Sequence, residues 1–395
     1  MERWWESIDE ARSRILSLSS ILPSSPSPSI SFSISSLADC DDPAHSLLNS
    51  ADAYFSIASA LKSPLSGSSS DPLCCWFCDT FRSPVPDLRL FYISFLPLLS
   101  DLYLTRSVTD SISSSSLAGF ETIFLSLYNS QAQFQNDETH PILVPDLSIP
   151  SVYNTLLDKP NHKKGPYPAL IPAEQHSKKN VCSSTSKQSR ESSQTTPEPF
   201  EPKSVMKSTE RDRVVGFALD YYYKEIAKIP AWSKIEFSKV VVAWAGPCCS
   251  HKTKRKGDTG EIANIIKEMR KMGIEKDNER LKFPKATKIL LPWELLQPVL
   301  RILGHCLLGP LCPQDVKDAA SVAVKKLYVR ATHDLTPRAI MATQNLFRLD
   351  KREREKAAQN TVKEKAALQA KSSSKLKKPD ILLQGTGSFI VFQVQ

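Results

Sequence analysis

Cysteine and histidine supply the side chains in this sequence that are best suited to a zinc site. Two groups of them have short spacing: Cys74, Cys75 and Cys78, and Cys248, Cys249 and His251. A structural zinc site needs four such ligands that converge tetrahedrally. The two groups lie far apart in the sequence, and the aromatic residues Trp76 and Phe77 fill the first one. We therefore predict small buried thiols, with zinc binding as the alternative.

Sequence motifs of known active sites are absent. The chain contains no GxxxxGK[ST], GxSxG or HExxH motif and no EF-hand loop. The sequence Gly385-Thr-Gly387 is too short to indicate a phosphate-binding loop. We predict that the protein is not an enzyme and uses no cofactor. An active site that is assembled only in space would leave no such motif, so an enzyme is the alternative.

The densest run of positive charge is His251–Lys256. We predict that Lys252, Lys254, Arg255 and Lys256 contact anionic lipid, where each cation could contribute about 1 kcal/mol. The competing interpretation is a solvated loop with no special role. A net charge of +9 also allows a basic helical protein that binds nucleic acid, which is the alternative function. No aromatic residue interrupts the run and no nucleic-acid-binding motif is present, so we predict no nucleic-acid partner.

Composition favours helices. Glycine is scarce, with 12 residues, and proline is frequent, with 28. Few glycines mean few turns with positive φ, which argues against nucleotide-binding α/β folds. The N-terminal segment has no apolar signal-peptide core, so we expect free thiols in a reducing compartment. The best candidate membrane span, Ile289–Leu311, carries Glu294, Arg301 and His305, and we expect a protein that does not cross a membrane.

Apolar residues that recur with a helical period predict an all-α protein, and the first 154 residues supply its first half. Residues 1–42 comprise a helix, Trp4–Leu18, and a Ser/Pro linker. Residues 43–154 comprise helices from Pro43 to Leu61, from Pro86 to Tyr103 and from Phe120 to Tyr128, then an extended segment, Pro141–Pro150. Pro97 should kink the second of these helices or split it in two.

The rest of the chain is predicted to contain a disordered insertion, a second helical half and a tail. Residues 155–210 are rich in Lys, Ser, Thr, Gln and Pro and are predicted to be disordered. Residues 211–349 comprise a helix that stops at Pro230, a helix Trp232–Ala245, and three helices that begin at or near Pro292, Pro313 and Pro337. Short links predict a bundle or solenoid-like stack, with Leu102 and Leu327 in its core. Residues 350–395 are predicted to be a charged helix or a disordered basic tail.

Five segments, taken in order, carry a family resemblance. They are FLPLLSDLYL at Phe95–Leu104, ETIFLSLYN at Glu121–Asn129, VPDLSIPSVYN at Val144–Asn154, YYKEIAKIPAWS at Tyr222–Ser233 and RATHDLTPRAIMATQNL at Arg330–Leu346. These segments resemble hyccin and its relatives, and the third is the most specific. The insertion and the basic tail are more similar to the plant members of that family.

The resemblance implies a function that the residue patterns alone do not give. Hyccin-like proteins are all-helical, non-catalytic subunits of the plasma-membrane phosphatidylinositol 4-kinase type III alpha complex. They pack against a tetratricopeptide-type helical scaffold, which a membrane-anchored adaptor recruits together with the kinase. We therefore expect an adaptor in the cytosol and at the cytosolic face of the plasma membrane. The family has no catalytic residues to transfer, and the motifs do not indicate which side chains contact the scaffold.

Overall fold

The computed structural model describes residues 2–22, 34–109, 117–135, 203, 205–246 and 289–374, and in these ranges the regular structure is helical without a strand. The α-helices are α1 Glu2–Ile21, α2 Pro43–Asn49, α3 Ala51–Leu61, α4 Pro72–Arg82, α5 Pro86–Ser94, α6 Leu96–Thr109, α7 Ala118–Gln135, α8 Arg211–Lys224, α9 Ala231–Ala245, α10 Trp293–Leu308, α11 Gln314–His333 and α12 Pro337–Ser374. Two short 3-10 helices are Ile34–Asp39 and Ser208–Glu210. The predicted all-α class is confirmed.

The break predicted at Pro97 is confirmed as a split into two helices. Pro97 is the second residue of α6, and it has no N–H to donate to the carbonyl one helical turn earlier. The Phe95 N–H bonds the Tyr92 carbonyl at 3.0 Å, in the tighter 3-10 pattern, and the α-helix resumes at Leu96. Prolines also mark the predicted helix starts, since Pro292 and Pro313 directly precede α10 and α11.

Two predicted helices have different bounds in the structure. The segment from Pro43 to Leu61 is interrupted at Ser50, whose Oγ accepts the Ala53 N–H at 3.1 Å and caps α3. The helix predicted to run to Pro230 ends at Lys224. Apolar periodicity continues through both sites, so the pattern could not show that a serine side chain or a tight turn replaces the helical hydrogen bonds there.

Helix α4 was not predicted, because its short sequence lies between Ser/Gly-rich and Pro-rich segments. It begins at Pro72 directly after Asp71, whose Oδ1 accepts the Leu73 N–H at 2.9 Å. Its buried side chains include Trp76, Phe77 and Phe81. The helix therefore places the first cysteine group on a packed element of the core.

One continuous core joins the two halves of the predicted helical domain. The Trp232 ring in α9 lies 4.5 Å from the Tyr54 ring in α3 and 5.8 Å from the Phe95 ring, measured between centroids. Ser233 Oγ donates to the Ser94 carbonyl at 2.7 Å. Trp232 Nε1 donates to the Leu48 carbonyl at 3.2 Å. The residues before and after the predicted insertion thus fold as one unit.

The described structure resumes before residue 211, where the prediction placed the end of the insertion. Asn129 Oδ1 accepts the Lys203 N–H and its Nδ2 donates to the Lys203 carbonyl, both at 2.8 Å. Met206 is buried, and the Tyr103 hydroxyl contacts its sulfur at 3.2 Å. Residues 203 and 205–210, which were predicted to belong to the insertion, are therefore described as part of the folded structure. The remainder of the predicted insertion, residues 155–202 and 204, and the segment Pro141–Pro150 lie outside the described residues.

The chain divides into two compact units, Met1–Phe347 and Arg348–Gln395. The described part of the second unit, residues 348–374, is helical. Side chains from 351 to 360 are exposed except Arg352, which is half-buried. The charged segment is thus helical to Ser374, with mostly exposed side chains over residues 351–360, and residues 375–395 lie outside the described part of the chain.

Candidate interaction surface

The four cations predicted to contact lipid, Lys252, Lys254, Arg255 and Lys256, lie outside the described residues. The second predicted group of zinc ligands, residues 248–251, lies outside them as well. Three other features of the described surface could bind a partner: thiols, a groove and exposed apolar side chains.

The first cysteine group consists mainly of packed thiols. Cys74 and Cys78 are buried, as predicted, whereas Cys75 is exposed, contrary to the prediction. Burial and the neighbouring Asp71 raise the pKa of the Cys74 thiol, and burial raises the pKa of Cys78 to about 11. Both thiols are therefore protonated at neutral pH and lack the reactive thiolate form. Within the described ranges, no three potential metal ligands lie together.

A shallow groove of about 410 Å³ lies between α1 and the C-terminal end of α4. Its charged lining residues are Glu6, Glu10, Arg14, Asp79 and Arg82. Arg14 Nε lies 2.9 Å from Glu10 Oε1, and both Arg14 and Arg82 pair with Asp79, at 3.6 and 3.7 Å. An open groove whose two arginines are both paired with carboxylates suits contact with another protein surface better than enclosure of a small substrate.

By length and composition alone, one helical stretch of the described chain, Pro86–Val108, could cross a membrane. This stretch differs from the best candidate span predicted from sequence, Ile289–Leu311. Of its apolar window, 78% is buried inside the protein, and the stretch is divided between α5 and α6. Burial against other helices is the behaviour of a core segment, so the stretch is weak evidence for a membrane span.

Large apolar side chains are exposed at several places on the described surface, among them Phe55, Leu65, Val205 and Leu311. Two further places each combine more than one such side chain. The first is the N-terminal part of α1, where the Trp4 and Trp5 rings lie 4.6 Å apart and both are more than half exposed. The second is the end of the helical unit where α10 begins and α11 meets α12, with Leu290, Leu335 and Met341 exposed.

Arg330 organises the second place. This buried side chain donates from Nη1 to the Trp244 carbonyl at 3.1 Å and from Nη2 to the Ile289 carbonyl at 3.0 Å. Its Nε also bonds the Asp334 carboxylate. One guanidinium group thus connects the end of α9, the residue before Leu290 and the residue before Leu335. The two exposed leucines are consequently held at the same end of the unit.

An aromatic residue follows Leu290 by three positions, at Trp293, and a cation follows Leu335 by three positions, at Arg338. The guanidinium carbon of Arg338 lies 5.9 Å from the centroid of the half-buried Trp293 ring, which joins the first turns of α10 and α12. Met341 follows Arg338 by three residues and therefore lies on the same side of α12. The Arg338 patch is defined here as Leu290, Trp293, Leu335, Arg338 and Met341.

Comparison with known protein families adds the decisive observation. The family model described as hyccin matches residues 38–381, which is most of the chain. The chain belongs to the hyccin family. A search of curated proteins gives no match. Hyccin is a non-catalytic family and is known in general terms as a component of a phosphatidylinositol 4-kinase complex.

The two exposed apolar places differ in whether the hyccin family model covers them. Trp4 and Trp5 precede residue 38, whereas the whole Arg338 patch lies within the matched range. Sequence reasoning did not identify the patch, because its members come from two segments with ordinary helical periodicity. One signal was available: Leu335 lies at a helix end shortly before Pro337, at a position where glycine or asparagine is the usual residue.

Proposed function

We propose that this hyccin-family protein is a non-catalytic adaptor. It packs against a tetratricopeptide-type helical scaffold, and through that scaffold it supports recruitment of a phosphatidylinositol 4-kinase to the cytosolic face of the plasma membrane. The observation that carries the proposal is the hyccin match over residues 38–381. The membrane-anchored adaptor of the complex would be reached through the scaffold and not by direct contact.

The character of the described surface and core supports an adaptor role. In the described part of the chain, the paired charges of the groove and the buried, protonated thiols of Cys74 and Cys78 do not form an activated nucleophile. The shared core of the two halves gives a rigid body that can present side chains from distant segments together. A preorganised surface of this kind loses little conformational entropy on binding.

Reconstitution with purified proteins tests the proposal. The full chain and the purified tetratricopeptide-type scaffold subunit should co-elute in size-exclusion chromatography and form a complex of defined stoichiometry. In cells that lack this protein, the kinase should be depleted from the plasma membrane, and re-expression of the chain should restore it. Failure of the two purified proteins to associate at micromolar concentration would contradict the proposal. Strongly salt-dependent oligonucleotide binding would favour the nucleic-acid alternative.

A further inference from the structure

The segment that leads into α8 lies against α6 and α7 in the manner of a bound peptide. The Asn129 amide in α7 holds the Lys203 backbone at two points, since Nδ2 donates to the Lys203 carbonyl and Oδ1 accepts the Lys203 N–H, both at 2.8 Å. Three residues later the Met206 side chain is buried, with its sulfur 3.2 Å from the Tyr103 hydroxyl of α6. Val205, which lies between them, is 69% exposed. The cis segment is defined here as Lys203 and residues 205–207.

The lysine of the cis segment has a binding position of its own. Lys203 Nζ lies 5.6 Å from the centroid of the Tyr128 ring and 2.7 Å from Glu210 Oε1. The hydrogen bond from Lys203 lowers the pKa of Glu210. A cation that packs over an aromatic ring and pairs with a carboxylate is held more selectively than one at an ordinary surface. The Asn129 site is defined here as Tyr103, Tyr128, Asn129 and Glu210.

This combination of contacts is the kind by which proteins bind extended peptides. Hydrogen bonds to the peptide backbone give affinity for any sequence, and separate positions for particular side chains give specificity. In the Asn129 site the backbone contact comes from one amide, and the two side-chain positions accept a lysine and a methionine. The cis segment is extended at Lys207, with φ −80° and ψ 146°. The site therefore selects an extended chain with lysine and methionine three residues apart.

Few contacts attach the cis segment to the Asn129 site. Of its described residues Met206 is the buried one, whereas Val205 and Lys207 are exposed. The fit is also incomplete, because Arg211 Nε is buried beside this site without a hydrogen-bond partner in the described part of the chain, and the guanidinium lies 5.8 Å from the Tyr103 ring centroid. Segments with so few buried contacts open more readily than the core, and such open states are typically populated at about 0.1–10%.

We propose that the Asn129 site binds an extended segment of a partner protein that carries a lysine and, three residues later, a methionine. The partner's lysine lies over Tyr128 and pairs with Glu210, and its methionine packs against Tyr103. The cis segment occupies the same positions and competes with the partner, so the site is autoinhibited. This inference goes beyond the adaptor function and does not depend on it, because it rests on contacts between described residues of this chain.

A labelled peptide with the sequence of residues 201–208, EPKSVMKS, tests the site on the full-length protein by fluorescence anisotropy. Met206→Asp in the protein should release the cis segment, because a carboxylate is unfavourable in the buried position beside Tyr103. The peptide should bind this variant with a Kd at least about tenfold below that of the wild type, whose site is open in only a minor fraction of molecules. A peptide with aspartate in place of its methionine should bind neither protein.

Two asparagine variants, each made in the Met206→Asp protein, provide the specificity test. Asn129→Ala removes both hydrogen bonds to the peptide backbone and should raise the Kd at least about fivefold. Asn49→Ala removes a matched amide from an exposed position on α2, where it bonds His45 of the same helix. That control should change the Kd by less than about twofold, like an ordinary surface substitution.

Hydrogen exchange in the wild type tests the same inference without any substitution, and it decides the matter if Met206→Asp does not fold. The amides of residues 205–207 should exchange faster than those of α7, and faster still at saturating peptide. Exchange as slow as in α7 would overturn the inference, as would a folded Met206→Asp protein that binds the peptide no more tightly than the wild type. A wild-type dimer that Met206→Asp abolishes would assign the site to a second copy of the chain and would also overturn it.

Discussion

At the scale of single residues, two aspartates illustrate opposite effects of the fold on a carboxyl group. Asp101 in α6 accepts a hydrogen bond from Trp244 Nε1 at 2.8 Å, which links the first half of the domain to α9. Burial nevertheless raises the pKa of Asp101, and the hydrogen bond from Trp244 opposes that rise without cancelling it. The folded protein therefore binds the Asp101 proton more tightly than the unfolded chain does.

We expect Asp101→Asn to reduce the pH dependence of stability. Because the folded-state pKa of Asp101 is raised, its contribution to stability is present below about pH 4 and is lost as pH rises toward the folded pKa. Asparagine retains an oxygen that can accept the Trp244 N–H and has no charge to bury. Urea unfolding from pH 4 to 7 should show the variant gaining stability relative to wild type as pH rises. Asp52→Asn, at an exposed position on α3, is the control substitution.

Asp71 shows the opposite behaviour. Burial acts to raise the pKa of Asp71, but hydrogen bonds from the Gly67 N–H at 2.7 Å, Ser66 Oγ at 2.8 Å and the Leu73 N–H at 2.9 Å outweigh it and lower the pKa. The carboxylate thereby caps α4 and fixes the preceding loop. Gly67 has a φ of +90°, and a Cβ atom there would lie 2.4 Å from the Phe120 ring.

Asp71→Ala should therefore destabilise the protein by about 2–3 kcal/mol, since it removes a helix cap together with further buried hydrogen bonds. Asp71→Asn keeps one acceptor oxygen in place and should cost less. With a lowered folded-state pKa, the wild-type contribution is present above about pH 4 and is lost as pH falls through the folded pKa. Chemical denaturation at pH 7 and pH 3 measures both effects. Equal stability of Asp71→Ala and wild type at pH 7 would contradict the assigned role.

At the scale of elements, the loop from Lys62 to Ser70 is held by a side chain from α6. Arg106 donates to the Leu61 carbonyl at 3.0 Å, to the Ser63 carbonyl at 2.9 Å and to the Ser66 carbonyl. The same guanidinium lies 5.4 Å from the Phe120 ring centroid. A Ser/Gly-rich sequence that suggests only a flexible turn is thus held by a cation from a distant helix as well as by the Asp71 carboxylate.

The basic run His251–Lys256 is the element whose role remains an expectation from sequence. Replacing Lys252, Lys254, Arg255 and Lys256 by alanine should weaken binding to acidic liposomes at low salt and leave scaffold binding intact. The reason is that surface cations are screened beyond about 8 Å at physiological ionic strength, whereas a packed interface is not. Liposome co-sedimentation at two salt concentrations measures the effect. Binding equal to that of the parent protein would leave the run as solvated surface.

At the scale of the whole molecule, the packing of the helices decides which apolar residues are fully buried. Periodicity placed Leu102 and Leu327 alike in the core. The structure buries Leu327 to 2% exposure in α11, but leaves Leu102 only half-buried in α6. The prediction of full burial is therefore confirmed for Leu327 and wrong for Leu102.

Leu327→Asp should destabilise the protein by about 3–5 kcal/mol, because it places an unpaired carboxylate among buried side chains. Leu102→Asp should cost clearly less, since the new carboxylate can reach water from its half-exposed position. Thermal unfolding monitored by circular dichroism compares the two variants with Leu102→Ala and Leu327→Ala. Equal loss of stability in the two aspartate variants would show that Leu102 is as enclosed as Leu327.

The sequence by itself determined the helical class, the family and the break near Pro97. Each of these depends on local chemistry or on the linear order of residues. The helical class follows from residue periodicity, the break follows from the missing N–H of proline, and the family follows from contiguous segments such as Arg330–Leu346. The sequence could not locate helix α4, the break at Ser50 or the end of α8. Those features depend on single hydrogen bonds that leave apolar periodicity unchanged.

Only the tertiary structure decided which residues form a common surface. The Arg338 patch combines residues 290–293 with residues 335–341, and the segments meet because Arg330 bonds the carbonyl groups of Trp244 in α9 and of Ile289, which lies before α10. An arginine at one position of a helix does not reveal which distant carbonyls it will reach. Packing fixes that choice, because burying a guanidinium is favourable only where its donors find acceptors, and those acceptors come from segments far apart in the sequence.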